Sequence, residues 1–321
     1  MIKSLETTFN RGYLICFMGT VLWSFTAIFI RYLNDAYNMP PLVLAFWRDA
    51  LVFLGLVIVF LLVAPARLRV SRSNLAFLLL YGLVLSLFNS LWTVSVALNG
   101  AAISTVMAYS SAAFTAIFGW RIFGENLGWV KIIAVALSLL GCVFVAGAYD
   151  LAAWSANPLG ILTGLVSGFA FAAYSLMGKA ASRRGLPPWT ALLYTFLFAA
   201  GFLLIYNLIP GWLPRQGLTG NMLWLGSSAV GWGVLLALAL VPTIGGYGLY
   251  TVSLNYLPAS VANLIATLEP AMTATLAYLL LGEMLTPIQL FGSALILAGV
   301  VVIRLNEGRM TIIRKRVALN Q

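Results

Sequence analysis

The sequence contains no histidine, two cysteines and only eight acidic residues among its 321 positions. Without histidine, the histidine metal sites and histidine acid–base chemistry of many enzymes are excluded. Cys16 and Cys142 lie inside apolar runs, which argues against a disulfide framework. The chain also lacks clustered carboxylates, a nucleophile elbow and a Walker A loop. We therefore expect no enzyme, no bound metal and no cofactor.

Charge is scarce as well, since charged residues make up 8% of the chain and hydrophobic residues 62%. Soluble domains usually carry ~25% charged residues. No water-soluble fold could bury so much apolar surface, so the sequence predicts an all-α polytopic membrane protein. The net charge of +10 is explained by the Lys and Arg that collect in cytoplasmic loops. We expect membrane lipid, and no nucleic acid, among its partners.

Ten apolar segments are long enough to cross a ~30 Å hydrocarbon core as helices. Numbered 1 to 10 in order, these spans are residues 13–33, 42–63, 75–98, 101–123, 128–148, 159–181, 189–209, 233–256, 259–281 and 287–304. Prolines stand just before or in the first turn of four spans, where a missing N–H costs nothing. The longest connection, 210–232, contains Trp212, Trp224 and Trp232, and part of it is expected to lie along the membrane surface.

The chain also repeats itself. A shift of 158 residues places Thr93-Val94-Ser95 on Thr251-Val252-Ser253, and Gly124-Glu125 on Gly282-Glu283. Each half holds five spans, and because five is odd, the second copy must enter the membrane from the opposite face. The sequence therefore predicts ten transmembrane helices arranged as two inverted five-helix repeats, an architecture of many secondary transporters.

Basic residues are distributed unevenly between the two predicted faces of the membrane. Only Arg31, Arg48 and Arg215 of the 18 Lys and Arg residues fall on, or nearest to, the side opposite the termini. Since cytoplasmic loops accumulate basic residues, we expect both termini to be cytoplasmic.

Glu269 is the only carboxylate at the middle of an apolar run, and Pro270 follows it. An ionised carboxylate at that depth costs at least ~2.5 kcal/mol, so such a group is normally neutral, paired or facing a watery cavity. Pro270 lacks an N–H and frees a carbonyl near Ala266, which protein or water must satisfy. We interpret Glu269-Pro270 as the wall of a solvated pocket between helices. The alternative is a protonated glutamate buried against a neighbouring helix.

A second charged pair, Arg48-Asp49, lies one to two turns into span 2. Adjacent residues on a helix point about 100° apart, which predicts that these two side chains do not pair with each other. We expect Arg48 to extend outward to the interface or to pair with another helix. A place at a gate is the alternative.

Polar and aromatic side chains concentrate in spans 1, 3, 4, 6, 8 and 9, whereas spans 2, 5, 7 and 10 are more uniformly apolar. This pattern predicts a midplane cavity between the two halves, in which aromatic walls favour an aromatic or apolar solute. Core filling is the alternative for any single aromatic side chain. The candidate substrate-binding residues are Trp23, Asn89, Trp92, Tyr109, Tyr174, Tyr250 and Glu269.

The second half carries LVPTIGGYGLYTVSLNYLPASVANLIATLEP from Leu240 to Pro270, then LLLGE at Leu279–Glu283 and GSALILAG at Gly292–Gly299. The first half matches this more loosely, through Ala97–Gly100 and Phe123–Glu125. These segments resemble the EamA repeat of the drug/metabolite transporter superfamily. Within it, the aromatic-rich spans look most like the aromatic amino-acid exporters.

The resemblance implies a membrane carrier with two EamA-like repeats. The repeats are expected at residues 13–148 and 159–304. A cytoplasmic N-terminus, 1–12, precedes them, and a basic cytoplasmic tail, 305–321, follows. The chain departs from symmetry at one place, because Ser111-Ala112 stands in the first half where Glu269-Pro270 stands in the second. The two halves are therefore chemically unequal.

These observations predict a carrier in the bacterial inner membrane that exports small amphipathic metabolites, foremost aromatic and other neutral amino acids, by alternating access. The alternative is a superfamily carrier for another metabolite or drug, and the competing classes are a membrane enzyme and a passive channel. The expected partners are a small-molecule substrate and lipid. A monomer is compatible with the sequence, which leaves the oligomeric state open.

Overall fold

The computed structural model describes residues 2–150, 158–209, 217–281, 284 and 286–319, with no side-chain description for 2–9, 97, 99–103 and 307–319. This part of the chain is helical, without strands. The helices are α1 Ile2–Ser24, α2 Thr26–Tyr37, α3 Pro41–Val63, α4 Arg72–Tyr109, α5 Ser111–Phe123, α6 Trp129–Val145, α7 Pro158–Arg183, α8 Pro188–Leu208, α9 Ala229–Leu238, α10 Ile244–Ser253, α11 Ala259–Ala266, α12 Glu269–Leu281 and α13 Pro287–Leu319. A short 3-10 helix covers Pro65–Leu68, and a π-helical segment covers Ala239–Thr243.

Within these ranges, seven helical segments are long and apolar enough to cross a membrane. They are Asn10–Tyr37, Pro41–Val63, Arg72–Val96, Pro158–Arg183, Pro188–Leu208, Ala229–Ser253 and Pro287–Asn306, with Trp129–Val145 as a shorter apolar helix. They correspond to eight of the ten predicted spans and confirm a polytopic helical protein. The other two predicted spans, 101–123 and 259–281, coincide with helices that break in the middle, at Ser110 and at Thr267-Leu268.

Proline and glycine set several helix ends, as expected from the sequence. Pro41 and Pro188 occupy the first turns of α3 and α8, where the missing N–H has no helical partner to lose. Gly124 ends α5 with a φ of 67°, a left-handed conformation that glycine adopts without the steric cost of a Cβ.

Helix α4 contains a reversal of direction. Ser95 Oγ lies 2.8 Å from Ser104 Oγ, although nine residues of straight α-helix span about 13 Å. The chain therefore folds back between these two residues, and both sides of the bend meet Gly164 of α7. The predicted boundary between spans 3 and 4 falls in this bend.

The helices pack in long pairs, with α4 along α7 and α8, α6 along α13, and α1 along α10. In the α6–α13 pair, a Cβ added at Gly141 would lie 2.5 Å from the Gly292 carbonyl oxygen. Such close approach through small residues is typical of helix association in membranes, where apolar burial alone gives no driving force.

Asn10 and Arg304 lie together at one end of the bundle, which we call the terminal end. Arg304 Nη2 donates to Asn10 Oδ1 at 2.9 Å, and its guanidinium stands 4.7 Å from the centre of the Tyr13 ring. The opposite end, the distal end, holds the α2–α3 connection and residues 217–228. There Leu42 N donates to the Leu218 carbonyl at 3.1 Å.

Residues 217–228 cover the distal end as a run of turns and bends. Trp47 Nε1 donates to the Met222 carbonyl at 2.5 Å, and Trp224 Nε1 donates to the Tyr37 carbonyl at 2.8 Å. Trp212 and Arg215, together with the Gly282-Glu283 half of the repeat motif, lie outside the described residues.

Candidate functional site

A cavity of about 100 Å³ lies inside the bundle. Its wall combines aromatic, hydroxyl, amide and charged side chains from both halves of the chain. The lining residues are Trp23, Thr26, Arg48, Phe88, Asn89, Trp92, Thr105, Ala108, Tyr109, Phe171, Thr243, Tyr247 and Glu269. We call this space the central cavity.

Helices are interrupted around the central cavity. The α1–α2 break falls at Phe25 and the α11–α12 break at Thr267-Leu268, while the π-helical segment with Pro242 joins α9 to α10. Thr273 Oγ1 donates to the freed Ser24 carbonyl at 3.1 Å. Interrupted helices in a membrane bundle are found where they line a cavity or a binding site.

Arg48 reaches the central cavity from α3 and is held by its neighbour in the chain. Its Nε donates to Asp49 Oδ1 at 3.1 Å, and Asn89 Nδ2 donates to Asp49 Oδ2 at 2.9 Å. Asp49 is fully buried and Arg48 is 7% exposed. Arg48 Nη2, although buried, has no hydrogen-bond partner among the described residues.

This geometry corrects three expectations from the sequence. Arg48 and Asp49 do pair, because the long arginine side chain bends back to the carboxylate. Arg48 turns inward instead of extending to the interface. Span 2 therefore contributes to the cavity wall, and the wall carries more fixed charge than its apolar composition suggested.

Glu269, in the first turn of α12, is half-buried and accepts a short hydrogen bond from the Tyr109 hydroxyl. This contact joins the end of α4 to the start of α12 and thus links the two halves of the chain. With Arg48 on α3, the cavity wall carries one basic and one acidic side chain. Arg48, whose Nε is paired with Asp49, and Glu269 thus place both signs of charge at the described cavity wall.

An aromatic cluster forms another part of the wall, with Tyr250 packed behind it. The Trp23 ring centre lies 4.7 Å from that of Tyr247 and 5.1 Å from that of Tyr250, and Phe171 stacks on Phe88 at 4.9 Å. Rings at these separations attract each other beyond simple area burial. An aromatic solute would extend this cluster.

Of the seven candidate residues, five line the central cavity: Trp23, Asn89, Trp92, Tyr109 and Glu269. Tyr174 and Tyr250 do not, and both are fully buried. The Tyr250 hydroxyl donates to Ser175 Oγ at 2.7 Å, and Asn263 Nδ2 donates to the same oxygen at 3.0 Å. These bonds hold Tyr250 in the core behind the wall.

The central cavity continues toward the distal end. A second, more open space of about 510 Å³ shares Thr26, Trp92, Thr105 and Glu269 with it and extends to Arg31, Asn34 and Asp35 at the end of α2. We call it the distal vestibule. The two spaces therefore adjoin at Glu269.

A polar cluster joins the two halves of the chain at the terminal end. Glu125 Oε1 accepts from Ala259 N at 2.7 Å, and its other oxygen accepts from the Ser260 hydroxyl. Lys131 Nζ donates to Ser260 Oγ at 2.9 Å. Nearby, Lys179 Nζ donates to the Leu254 carbonyl at 2.7 Å. The Glu125 carboxylate thus caps the N-terminus of α11, a favoured place for an acidic group.

Sequence reasoning did not identify Arg48 or the threonines Thr26, Thr105 and Thr243 as cavity residues. A charged pair inside an apolar run was the available signal for Arg48. The threonines had no such signal, because a hydroxyl in a membrane helix often bonds its own backbone. Thr243 does this too, donating to the Leu238 carbonyl at 2.8 Å.

Curated proteins similar to this chain are transporters. An uncharacterized transporter of Synechocystis sp. is 28% identical over 67% of this chain, which spans 62% of that protein. A probable amino-acid metabolite efflux pump of Salmonella typhimurium is 28% identical, with 89% and 92% of the two chains covered. The threonine/homoserine exporter RhtA of Escherichia coli K12 is 29% identical over 76% of each.

A solved crystal structure shares the fold, with a TM-score of 0.71, 17% identity and coverage of 91% of this chain and 96% of the other. The model of the EamA-like transporter family matches the chain twice, over residues 10–147 and 158–305. These two matches include all the residues that line the central cavity. The chain belongs to the EamA-like transporter family.

Proposed function

We propose that this transporter exports small amphipathic metabolites, foremost aromatic and other neutral amino acids, by alternating access around the central cavity. The observation that carries the proposal is the composition of the cavity wall. Arg48 and Glu269 offer one charge of each sign, and Trp23, Trp92 and Tyr247 offer aromatic surface. An amino acid with an apolar or aromatic side chain matches both features.

The amino-acid class and the preference for aromatic side chains rest on different observations. The relatives' names concern amino-acid metabolites, threonine and homoserine, which supports amino acids as the class. The preference for aromatic side chains rests on the wall alone. Each aromatic pair adds roughly 0.5–1.5 kcal/mol beyond burial, so two or three contacts favour Phe, Tyr or Trp over Ala without excluding Leu or Met.

Alternating access is supported by the unequal ends of the bundle. The vestibule extends from Glu269 toward the distal end, whereas the Glu125–Ser260 contacts join the two halves at the terminal end. Helices α5 and α12 are both 13 residues long and begin 158 residues apart, at Ser111 and Glu269. Two equivalent elements of opposite orientation would exchange roles when the carrier reverses.

Basic side chains support the orientation. Arg11, Lys131, Lys179, Arg183 and Arg304 contact neighbours at or near the terminal end. Since cytoplasmic ends collect Lys and Arg, we place the terminal end in the cytoplasm of a bacterial inner membrane. The vestibule then faces outward, as an exporter requires for release.

Competition in proteoliposomes tests the substrate class. Labelled phenylalanine should be taken up, and unlabelled Phe, Tyr, Trp, Leu and Met should compete, with Ala weaker. Aspartate and lysine should compete poorly. Each carries a third charged group, and a cavity wall with one residue of each sign offers no partner for it. Equal competition by aspartate or lysine, or none by any amino acid, would leave only a family carrier for another metabolite or drug.

A further inference from the structure

We propose that Arg48 binds the carboxylate of the solute through its Nη2 edge, while Glu269 and Tyr109 bind its ammonium group. The inference rests on the proposed amino-acid function and makes it specific, because it assigns each end of a zwitterion to one side of the central cavity. The side chain would then lie against the aromatic cluster.

The orientation of the guanidinium is the first argument. Asp49 uses one carboxylate oxygen for Arg48 Nε and the other for Asn89 Nδ2. The Nε side of the fork is therefore occupied, while Nη2 is buried without a partner among the described residues. A buried donor without a partner is costly, and a carboxylate is the group that matches a guanidinium edge best.

The surrounding polar atoms are the second argument. Trp23 and Thr26 line the same cavity, and Trp23 Nε1 and Thr26 Oγ1 are also buried without a hydrogen-bond partner in the described part of the chain. Three side chains of the cavity wall thus carry an unpaired donor, and two of these donors, Arg48 Nη2 and Trp23 Nε1, cannot accept. Such a set of donors fits an anionic acceptor such as a carboxylate.

The opposite sign is supplied by Glu269, whose hydrogen bond from Tyr109 fixes its place at the cavity wall. An amine bound there gains a charged acceptor, whereas a solute with only a carboxylate gains none. Conversely, a solute with only an amine leaves Arg48 Nη2 unpaired. The cavity should therefore discriminate a zwitterion from both of its singly charged analogues, and hydrogen-bond mismatches of this kind discriminate more strongly than size does.

The test uses three competitors against labelled phenylalanine in proteoliposomes: phenylalanine, 2-phenylethylamine and 3-phenylpropionate. They share the aromatic ring and differ in the charged groups. The wild type should prefer phenylalanine to each analogue by about tenfold or more, since each lacks one charge-assisted contact. The informative variant is the double substitution Arg48→Gln with Asp49→Asn, which removes both charges and leaves no unpaired buried carboxylate.

The double variant should lose affinity for phenylalanine, whereas its affinity for 2-phenylethylamine should stay within about twofold of the wild-type value. Phenylalanine and 2-phenylethylamine should then compete nearly equally. Arg48→Lys, which keeps the charge and loses the planar fork, should fall between. Arg72→Gln makes the same change at an exposed position at the start of α4 and should match the wild type. Thermal shift of the purified variants with phenylalanine checks folding and binding without transport.

Two failures are distinguishable. If the wild type takes up amino acids and the double variant keeps the full preference for phenylalanine over phenylethylamine, Arg48 does not bind the carboxylate and only this inference falls. If no amino acid competes in the wild type, the proposed function fails and the inference with it.

Discussion

Glu269 lies where the central cavity meets the distal vestibule and lines both spaces. Its carboxylate accepts from Tyr109 on the other half of the chain. The protonation state of a titratable group in this position can affect both the bound solute and the partner helix. Intramembrane carboxylates of this kind are often part of an ion or proton pathway.

We predict that Glu269→Gln lowers the initial rate of phenylalanine transport by about tenfold or more, because loss of one charged hydrogen bond is worth ~1.5–3 kcal/mol. Glu269→Ala should lower it at least as much. We also expect the wild-type rate to vary with pH and the Gln variant's rate not to, as proton exchange at this carboxylate requires. Normal transport by the Gln variant at every pH would reject proton coupling, and normal transport by the Ala variant would reject the pocket role.

The candidate residues show what sequence can and cannot predict at this scale. Glu269 was identifiable because a carboxylate in the middle of a mostly apolar span, residues 259–281, needs a reason to be there. Arg48 lies near a helix start, where a basic side chain normally reaches the interface, and only the contact with Asp49 turns it inward. Tyr174 and Tyr250 are fully buried and lie outside the cavity wall, because depth and aromaticity do not specify whether a ring faces the cavity or the core.

Among the helices, the junction of α1 with α10 brings Trp23 to the cavity. A Cβ added at Gly246 would collide with the Trp23 ring, because the two helices meet closely at this glycine. In the sequence this stretch holds Pro242 with Gly245, Gly246 and Gly248, a pattern that fits either close helix packing or a binding site. The structure shows close packing at Gly246 next to the cavity wall.

We predict that Gly246→Ala displaces Trp23, destabilises the protein by ~1–3 kcal/mol and weakens phenylalanine binding. Thermal unfolding in detergent, with and without phenylalanine, measures both effects. Gly233→Ala is the matched control, since a Cβ there meets no atom within 4 Å. Equal melting temperatures and equal phenylalanine shifts for the two variants would contradict the packing argument.

A second element-scale feature is the Glu125 cap on α11, which joins the two halves at the terminal end. Removing a helix cap costs ~1 kcal/mol, which corresponds to a several-fold shift between two states. We predict that Glu125→Ala increases the labelling rate of Cys16 by a thiol reagent, because Cys16 is fully buried next to the Ala262 carbonyl of the same helix.

This experiment uses a Cys142→Ala background, so that Cys16 is the single thiol. Asp35→Ala, at the distal end, serves as the control and should leave the labelling rate unchanged. If Glu125→Ala labels no faster than the control, the cap does not hold the terminal end closed.

For the molecule as a whole, hydrophobic runs predicted most of the spans, because a segment of about 20 apolar residues has few other solutions in a bilayer. The breaks in spans 4 and 9 were only partly predictable. Pro270 indicates the break in the second half, whereas Ser110 carries no comparable signal in the first. The α4 bend depends on contacts of Ser95 with Ser104 and Gly160. Gly160 is distant in sequence, and hydrophobic periodicity gives no signal for the contact with Ser104.

The orientation of the bundle is a prediction for the whole chain. Single cysteines at Arg184, near the terminal end, and at the exposed Leu223, in the distal segment, should differ in accessibility. In a Cys-free background, a membrane-impermeant thiol reagent applied to intact cells should label position 223 and not position 184. Labelling of 184 alone would reverse the orientation and place the vestibule in the cytoplasm.

The most direct measurement of the central claim is counterflow of labelled phenylalanine. Proteoliposomes are loaded with excess unlabelled phenylalanine and diluted into a trace of the labelled form. A carrier that alternates around one cavity predicts transient accumulation of label above its equilibrium level, abolished in Glu269→Ala. Uptake that rises only to equilibrium, as through a passive channel, or that matches protein-free liposomes, would contradict the account.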